Sequence, residues 1–186
     1  YGTNASGKSN LIKSLQYMRA VVVDSATLLQ PGQPFKVQPF RLDQSSMNAP
    51  TELEVTFLLG DVRYQYGFTM TQKRIVSEYL LVYKSFKPQK WFERYIDDET
   101  NEEVYEFGSG LKGGKSTWEG ATRDNALFLS TAVQLNSEQL RPIYEWFANQ
   151  LVIFNEMTPL SQEKSVEMLK DPVVCEEVCN FLESAD

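Results

Sequence analysis

The 186-residue chain contains no histidine and only two cysteines. Their scarcity excludes a disulfide framework and most zinc sites. Long apolar runs are missing too. The longest, "AVVV" and "YLLVY", fall far short of the ~20 residues that span a bilayer. The first residues, "YGTNASGKSN", have neither the charged n-region nor the apolar h-region of a secretory signal. Positive charge is scarce: 18 Lys and Arg stand against 25 Asp and Glu, a net charge of -7. Domains that grip phosphate backbones are usually basic, because counterion release depends on Lys and Arg. The balance therefore argues against a strong nucleic-acid-binding module, while leaving a local basic patch open. These absences point to the cytoplasm and to no membrane partner. There is also no initiator Met, and "NFLESAD" reads as an interrupted helix, so the expectation is an internal piece of a longer protein.

What is present suits one globular domain, or one carrying a small subdomain: 42% of residues are apolar and 23% charged. Leu11, Leu15, Met18 and Val22 form the stripe of an amphipathic helix. Four prolines between Gln30 and Pro50 mark a long loop. Strict alternation follows, with Leu53, Val55, Phe57 and Leu59 on one face. Gly60-Asp61 then turns the chain into Val62, Tyr64, Tyr66 and Phe68. Ile75 to Tyr83, Lys90 to Arg94 and Val104 to Phe107 complete five short strands with hairpin spacing, which predicts an antiparallel sheet. Downstream, the reading expects a flexible Gly-rich connection from Gly108 to Gly120. It then expects a strand-like apolar segment "NALFLST", a helix broken or restarted at Pro142, and a buried strand "LVIF". Asp171-Pro172 should cap a last helix. The fold class expected is α/β, with an antiparallel β subdomain (residues 50–107) inserted between a first helical part (1–29) and a mixed α/β and helical part (121–186).

Gly2-Thr3-Asn4-Ala5-Ser6-Gly7-Lys8-Ser9 satisfies G-x-x-x-x-G-K-[ST] without a mismatch. Glycines let successive N–H groups converge on phosphates. Lys8 would meet the β- and γ-phosphates and the Ser9 hydroxyl the Mg²⁺ shell, with the positive end of the following helix aimed at the anion. The strand expected before such a loop is represented by Tyr1 alone. Gly114-Lys115-Ser116 is a decoy, since the position needing the first glycine holds Ser109.

Asn4 at the third motif position, Asn10 after the Ser, and a long helix after "GKSNLIKSL" resemble the ABC-type heads of RecF, SMC and OLD ATPases. "PFRLD", "PTELEVTFLLGDVRYQYGF", "IVSEYLLVY", "WFER" and "TRDNALFLSTAVQLN" are similar to the AAA-family, ABC-like ATPases of prokaryotic antiphage-defence loci. The resemblance implies a P-loop head that binds ATP through Asn4, Ala5, Ser6, Gly7, Lys8, Ser9 and Asn10. It also implies hydrolysis with Mg²⁺ at a site shared between two subunits, a homo-oligomer formed through the heads, and control of an effector protein. Gln134 stands where a Q-loop glutamine would reach Mg²⁺ or the attacking water, and a plain surface glutamine before a helix capped by Asn136 is an equal reading. The signature segment, the Walker B Asp and the catalytic Glu are not recognisable, so residues 1–186 alone should not hydrolyse ATP. An ATP-dependent scaffold or sensor with little turnover, or a RecF/SMC-like DNA-repair ATPase, are the alternatives.

Three further groups carry charge, aromatic or thiol patterns of their own. Tyr83, Lys84, Phe86, Lys87, Lys90, Trp91, Phe92, Arg94 and Tyr95 interleave cations with aromatics, as single-strand binders do; a hairpin with one buried face yields the same letters. Cys175 and Cys179, one helical turn apart, are expected to be buried packing residues. Asp97, Asp98, Glu99, Glu102 and Glu103 are expected to form a solvated acidic turn rather than paired catalytic carboxylates; should residues 1–186 alone release phosphate from ATP, Glu156 after "LVIF" would be the base.

Overall fold

The computed structural model describes residues 7–36, 49–153, 166 and 169–183. It divides into a unit ending at Val152 and a second from Ile153 to Asp186.

The first unit begins with helix α1 (Lys8–Asp24). Five strands follow: β1 (Thr51–Leu59), β2 (Val62–Met70), β3 (Ile75–Tyr83), β4 (Gln89–Ile96) and β5 (Glu103–Phe107). They form one antiparallel meander in chain order, as the alternation predicts. Gly60 adopts φ +59°, the left-handed backbone that a two-residue turn between paired strands requires. One face of the sheet is polar and carries the cross-strand pairs Tyr79 to Glu54, Tyr83 to Gln65 and Lys90 to Glu106, with Lys90 also bonded to Glu93 on its own strand. The other face buries Phe57, Tyr64, Tyr66, Phe68, Leu80, Val82 and Phe92. A bulge breaks the β3–β4 register after the Leu80–Phe92 pair, and the skipped Trp91 joins Phe92 in the core.

Short helices cover that inner face: α2 (Lys115–Ala121), α3 (Phe128–Gln134) and α4 (Arg141–Glu145), the last running into a π-helical turn at Trp146–Gln150. Pro142 sits in the first turn of α4, where its missing N–H costs nothing. Two aromatic clusters join the layers. Phe57 stacks on Trp146 with centroids 3.9 Å apart and meets Phe147 edge-on. At the other edge, Phe128 packs against Phe92, Tyr105 and Phe107.

Four expectations are corrected. The "flexible connection" contains α2, which a single buried residue, Trp118, anchors; one anchor leaves no stripe to read. "NALFLST" is the start of a helix, not a strand: Phe128 to Ala132 are all buried, so no polar face sets the period. Asn136 ends α3 rather than capping the next helix. It takes φ +64°, with Asn136 N–H donating to Val133 O and Ser137 N–H to Ala132 O, a Schellman ending. Residues 151–153 form no strand, and Val152 is exposed.

In the second unit, α5 (Pro172–Glu183) starts as expected, with the Asp171 carboxylate accepting the Val173 N–H at 2.9 Å. Cys175 is half-buried and Cys179 exposed, so buried packing does not describe the pair; the helix turns its second thiol outward. No helix among the described residues is long and apolar enough to cross a membrane.

Candidate nucleotide site

The start of α1 coincides with the end of the phosphate-loop motif. Gly7 adopts φ +84°, and a Cβ there would meet nothing within 4 Å. Left-handed backbone, not crowding, therefore reserves the position for glycine. Its carbonyl accepts the N–H groups of Asn10 (2.9 Å) and Leu11 (3.0 Å), closing the first turn. Among the described residues no side chain caps this helix start, and its first turn holds no acidic residue. Helix starts are ordinarily capped by Ser, Thr, Asp or Asn. Here the positive end of a 17-residue helix has no neutralising partner among the described residues. Ser9 and Asn10 are exposed beside it. This arrangement fits a phosphate, and the Ser9 hydroxyl is the oxygen donor that Mg²⁺ prefers. Asn4, Ala5 and Ser6, together with Tyr1 and Glu156, lie outside the described residues.

Gln134 is the exposed last residue of α3, and the segment before it is helix rather than the strand of a Q-loop. α3 bonds to α1 through Ser130 Oγ, which donates to Val22 O at 2.6 Å. Val22 lies 13 residues beyond Ser9, about 20 Å along the helix. Nothing among the described residues joins Gln134 to the first turn of α1. Lys115, in the decoy, donates to Gly108 O (3.2 Å) and lies over the Phe107 ring, so its own loop occupies it.

The rear of α1 is tied down by residues that carry no motif. Arg19 donates from Nε to Phe147 O (2.8 Å) and from its terminal nitrogen to Ala148 O (2.6 Å), filling carbonyls that the end of the π turn leaves open. Arg123 donates to the carbonyls of Ser25, Ala26 and Leu29, a cation at the negative end of the helix. Asn125 donates to Gln30 O (2.7 Å) and Gln33 O (3.0 Å).

The other side of this 123–131 segment is fastened to the sheet by a buried ion pair. Glu78 and Arg94 face each other across β3 and β4, 3.6 Å apart and both fully buried. The Glu78 carboxylate accepts the N–H groups of Phe128 (2.6 Å) and Leu129 (3.0 Å) at the start of α3, and the Tyr66 hydroxyl (2.9 Å). Burial raises its pKa, opposed by Arg94, those N–H groups and Tyr66. Arg94 donates to Ala126 O (2.7 Å) and pairs with Glu103 at 3.0 Å. Glu103 thus leaves the acidic turn expected for it and enters the core network. A signal for the pair was available: Glu78 is in phase with Leu80 and Val82, and Arg94 with Phe92, so both fall on the apolar face.

A family model described as "AAA domain, putative AbiEii toxin, Type IV TA system" matches residues 1–171. The chain belongs to this AAA-domain family. Membership makes it a P-loop NTPase with nucleotide-binding, ATPase-like function, and the match takes in both the phosphate loop and the 123–131 segment that holds α1. No curated protein and no solved structure matches the chain. In this AAA domain the sheet is entirely antiparallel among the described residues. It acts as the bed for the layer of short helices that in turn holds α1.

Proposed function

We propose that this AAA domain is the ATP-binding part of an ABC-like head that hydrolyses ATP with Mg²⁺ at a site completed by a second subunit, and thereby controls a defence effector. The observation that carries the nucleotide part is a 17-residue helix that starts within Gly7-Lys8-Ser9, uncapped among the described residues, with Gly7 in left-handed backbone. The family's description as a toxin of a toxin–antitoxin system supports the defence setting. In this reading Asn4 to Gly7 wrap the phosphates with backbone N–H groups, Lys8 holds the β- and γ-phosphates, and Ser9 supplies the metal's oxygen ligand. Gln134 is the candidate for orienting water. Bound Mg²⁺ neutralises charge that builds on the transferred phosphoryl group. The catalytic carboxylate and the signature segment would come from elsewhere in the assembled head.

The test is a titration of the full-length protein with a fluorescent ATP analogue and Mg²⁺. Lys8→Ala should abolish binding while leaving thermal unfolding unchanged. Equal affinity of wild type and variant would defeat the assignment. Turnover measured with and without DNA separates a defence ATPase from a DNA-stimulated repair ATPase and from a sensor with little turnover.

A further inference from the structure

The meander places the β1–β2 and β3–β4 turns at one end of the sheet and the β2–β3 and β4–β5 turns at the other. Charge is divided between these ends. The β4–β5 turn gathers Asp97, Asp98, Glu99 and Glu102. The opposite end presents Lys84 and Lys87, both exposed, on either side of Phe86 in the turn between β3 and β4. Phe86 is fully exposed, at 103%, whereas Trp91 and Phe92 from the same aromatic run are buried. Arg63, exposed on the neighbouring strand, lays its guanidinium 3.9 Å from the centre of the Tyr83 ring. Arg63, Lys84 and Lys87 have no carboxylate partner among the described residues, unlike Lys90, which Glu93 and Glu106 hold. Asp61, in the adjacent turn, is the acid at this end.

A flat apolar ring held out in water between unpaired cations matches a partner that supplies both planar faces and negative charge. Single-stranded nucleic acid supplies both. A duplex hides its base faces in the stack, and an acidic peptide offers a ring only where an aromatic residue lies among its carboxylates, whereas a single strand offers a ring and a charge at every residue. We infer that the Phe86 turn, with Lys84, Lys87 and Arg63, is a docking surface for single-stranded nucleic acid, a base stacking on Phe86 and phosphates lying against the three cations. The patch is small on a chain of net charge -7, so binding is modest and salt-sensitive. Three phosphate contacts give a slope of log K against log salt of roughly -2 for a single strand.

The experiment is fluorescence anisotropy of a labelled oligo-dT with the full-length protein at low salt, with an unlabelled duplex and polyglutamate as competitors. The expected result is binding with that slope, weakened about tenfold in Phe86→Ala, retained in Phe86→Trp, and flattened to a slope of about -0.7 in K84Q/K87Q. Phe86 touches no core residue, and an unchanged thermal midpoint in Phe86→Ala confirms that the fold is intact. Three outcomes overturn the inference: no binding of oligo-dT, equal affinity in wild type and Phe86→Ala, or competition by duplex or polyglutamate as effective as by the single strand. The last would identify a charge surface that suits an acidic protein segment instead.

Discussion

The two halves of α1 live in different surroundings. From Ser9 to Ser14 every residue is exposed, Leu11 by 66%, while Met18, Val21 and Val22 are buried and Ser25 beyond them is fully enclosed. The front carries the motif and almost no packing; the rear carries the packing and no motif. Among the described residues the clamps on α1 lie at its rear, so the helix holds its front through its own stiffness; phosphoryl transfer at the proposed site would rest on that positioning. Chemistry and anchorage are therefore separable by mutation.

Arg94→Met should produce the largest effect on the anchoring side. It leaves Glu78 charged and buried without its cation, and such losses cost about 3–5 kcal/mol. Urea denaturation of the full-length protein would show the midpoint fall. An unchanged midpoint would mean that the Tyr66 hydroxyl and the two N–H groups of α3 suffice for Glu78, and that the pair is not the fastening described above.

Gly7→Ala tests the front. The left-handed backbone at φ +84° costs a residue with a Cβ roughly 1–2 kcal/mol. The turn can escape that strain by rearranging, because none of the described residues packs on it. Little loss of unfolding free energy is expected, alongside a large loss of affinity for the ATP analogue. Equal losses in both measurements would erase the distinction between the two halves.

The smallest effect is a pH dependence at the acidic turn. The Asp97 carboxylate accepts N–H groups from Thr100 (2.8 Å) and Glu99 (3.0 Å) and the Thr100 hydroxyl (3.0 Å). The bonds from Thr100, chiefly, hold its pKa below the ordinary value. Its contribution is present above the unfolded pKa of about 3.9 and is lost as pH falls through the lower folded value. Asp97→Asn should remove that part of the acid sensitivity, read as the difference in urea midpoints between neutral and acid pH. An identical pH profile in the variant would show that the turn does not use the charge.

The same contrast explains how far the sequence could be read. The phosphate loop is a local signature, and the five strands announce themselves through period-two alternation broken at Gly60-Asp61 and at polar turns. The anchoring side depends on contacts roughly 50 to 130 residues apart, such as Glu78 with Phe128 or Arg19 with Phe147, and no window of sequence displays them. "NALFLST" looked like a strand because total burial removes the polar face that would reveal its period. "LVIF" has the composition of a strand, yet Val152 faces solvent and no neighbouring strand pairs with it among the described residues. The Q-loop reading of Gln134 rests on a strand at "NALFLST", and α3 occupies that segment instead.

The π turn at Trp146–Gln150 has a consequence for the phase of the chain. Its closing bond runs from Leu151 N–H to Trp146 O, five residues back, so it holds one residue more than an α turn. Each α-helical residue advances about 100° around the axis. Removing any single residue from 146–150 would thus let the segment relax into ordinary α-helix and rotate everything after it by about that angle relative to α4. The extra residue works as a phase spacer: it sets the direction in which Leu151 and Val152 leave the helix, just beyond the Trp146 and Phe147 pair that packs on Phe57. A one-residue deletion here should disturb the core more than a much longer deletion in an exposed turn.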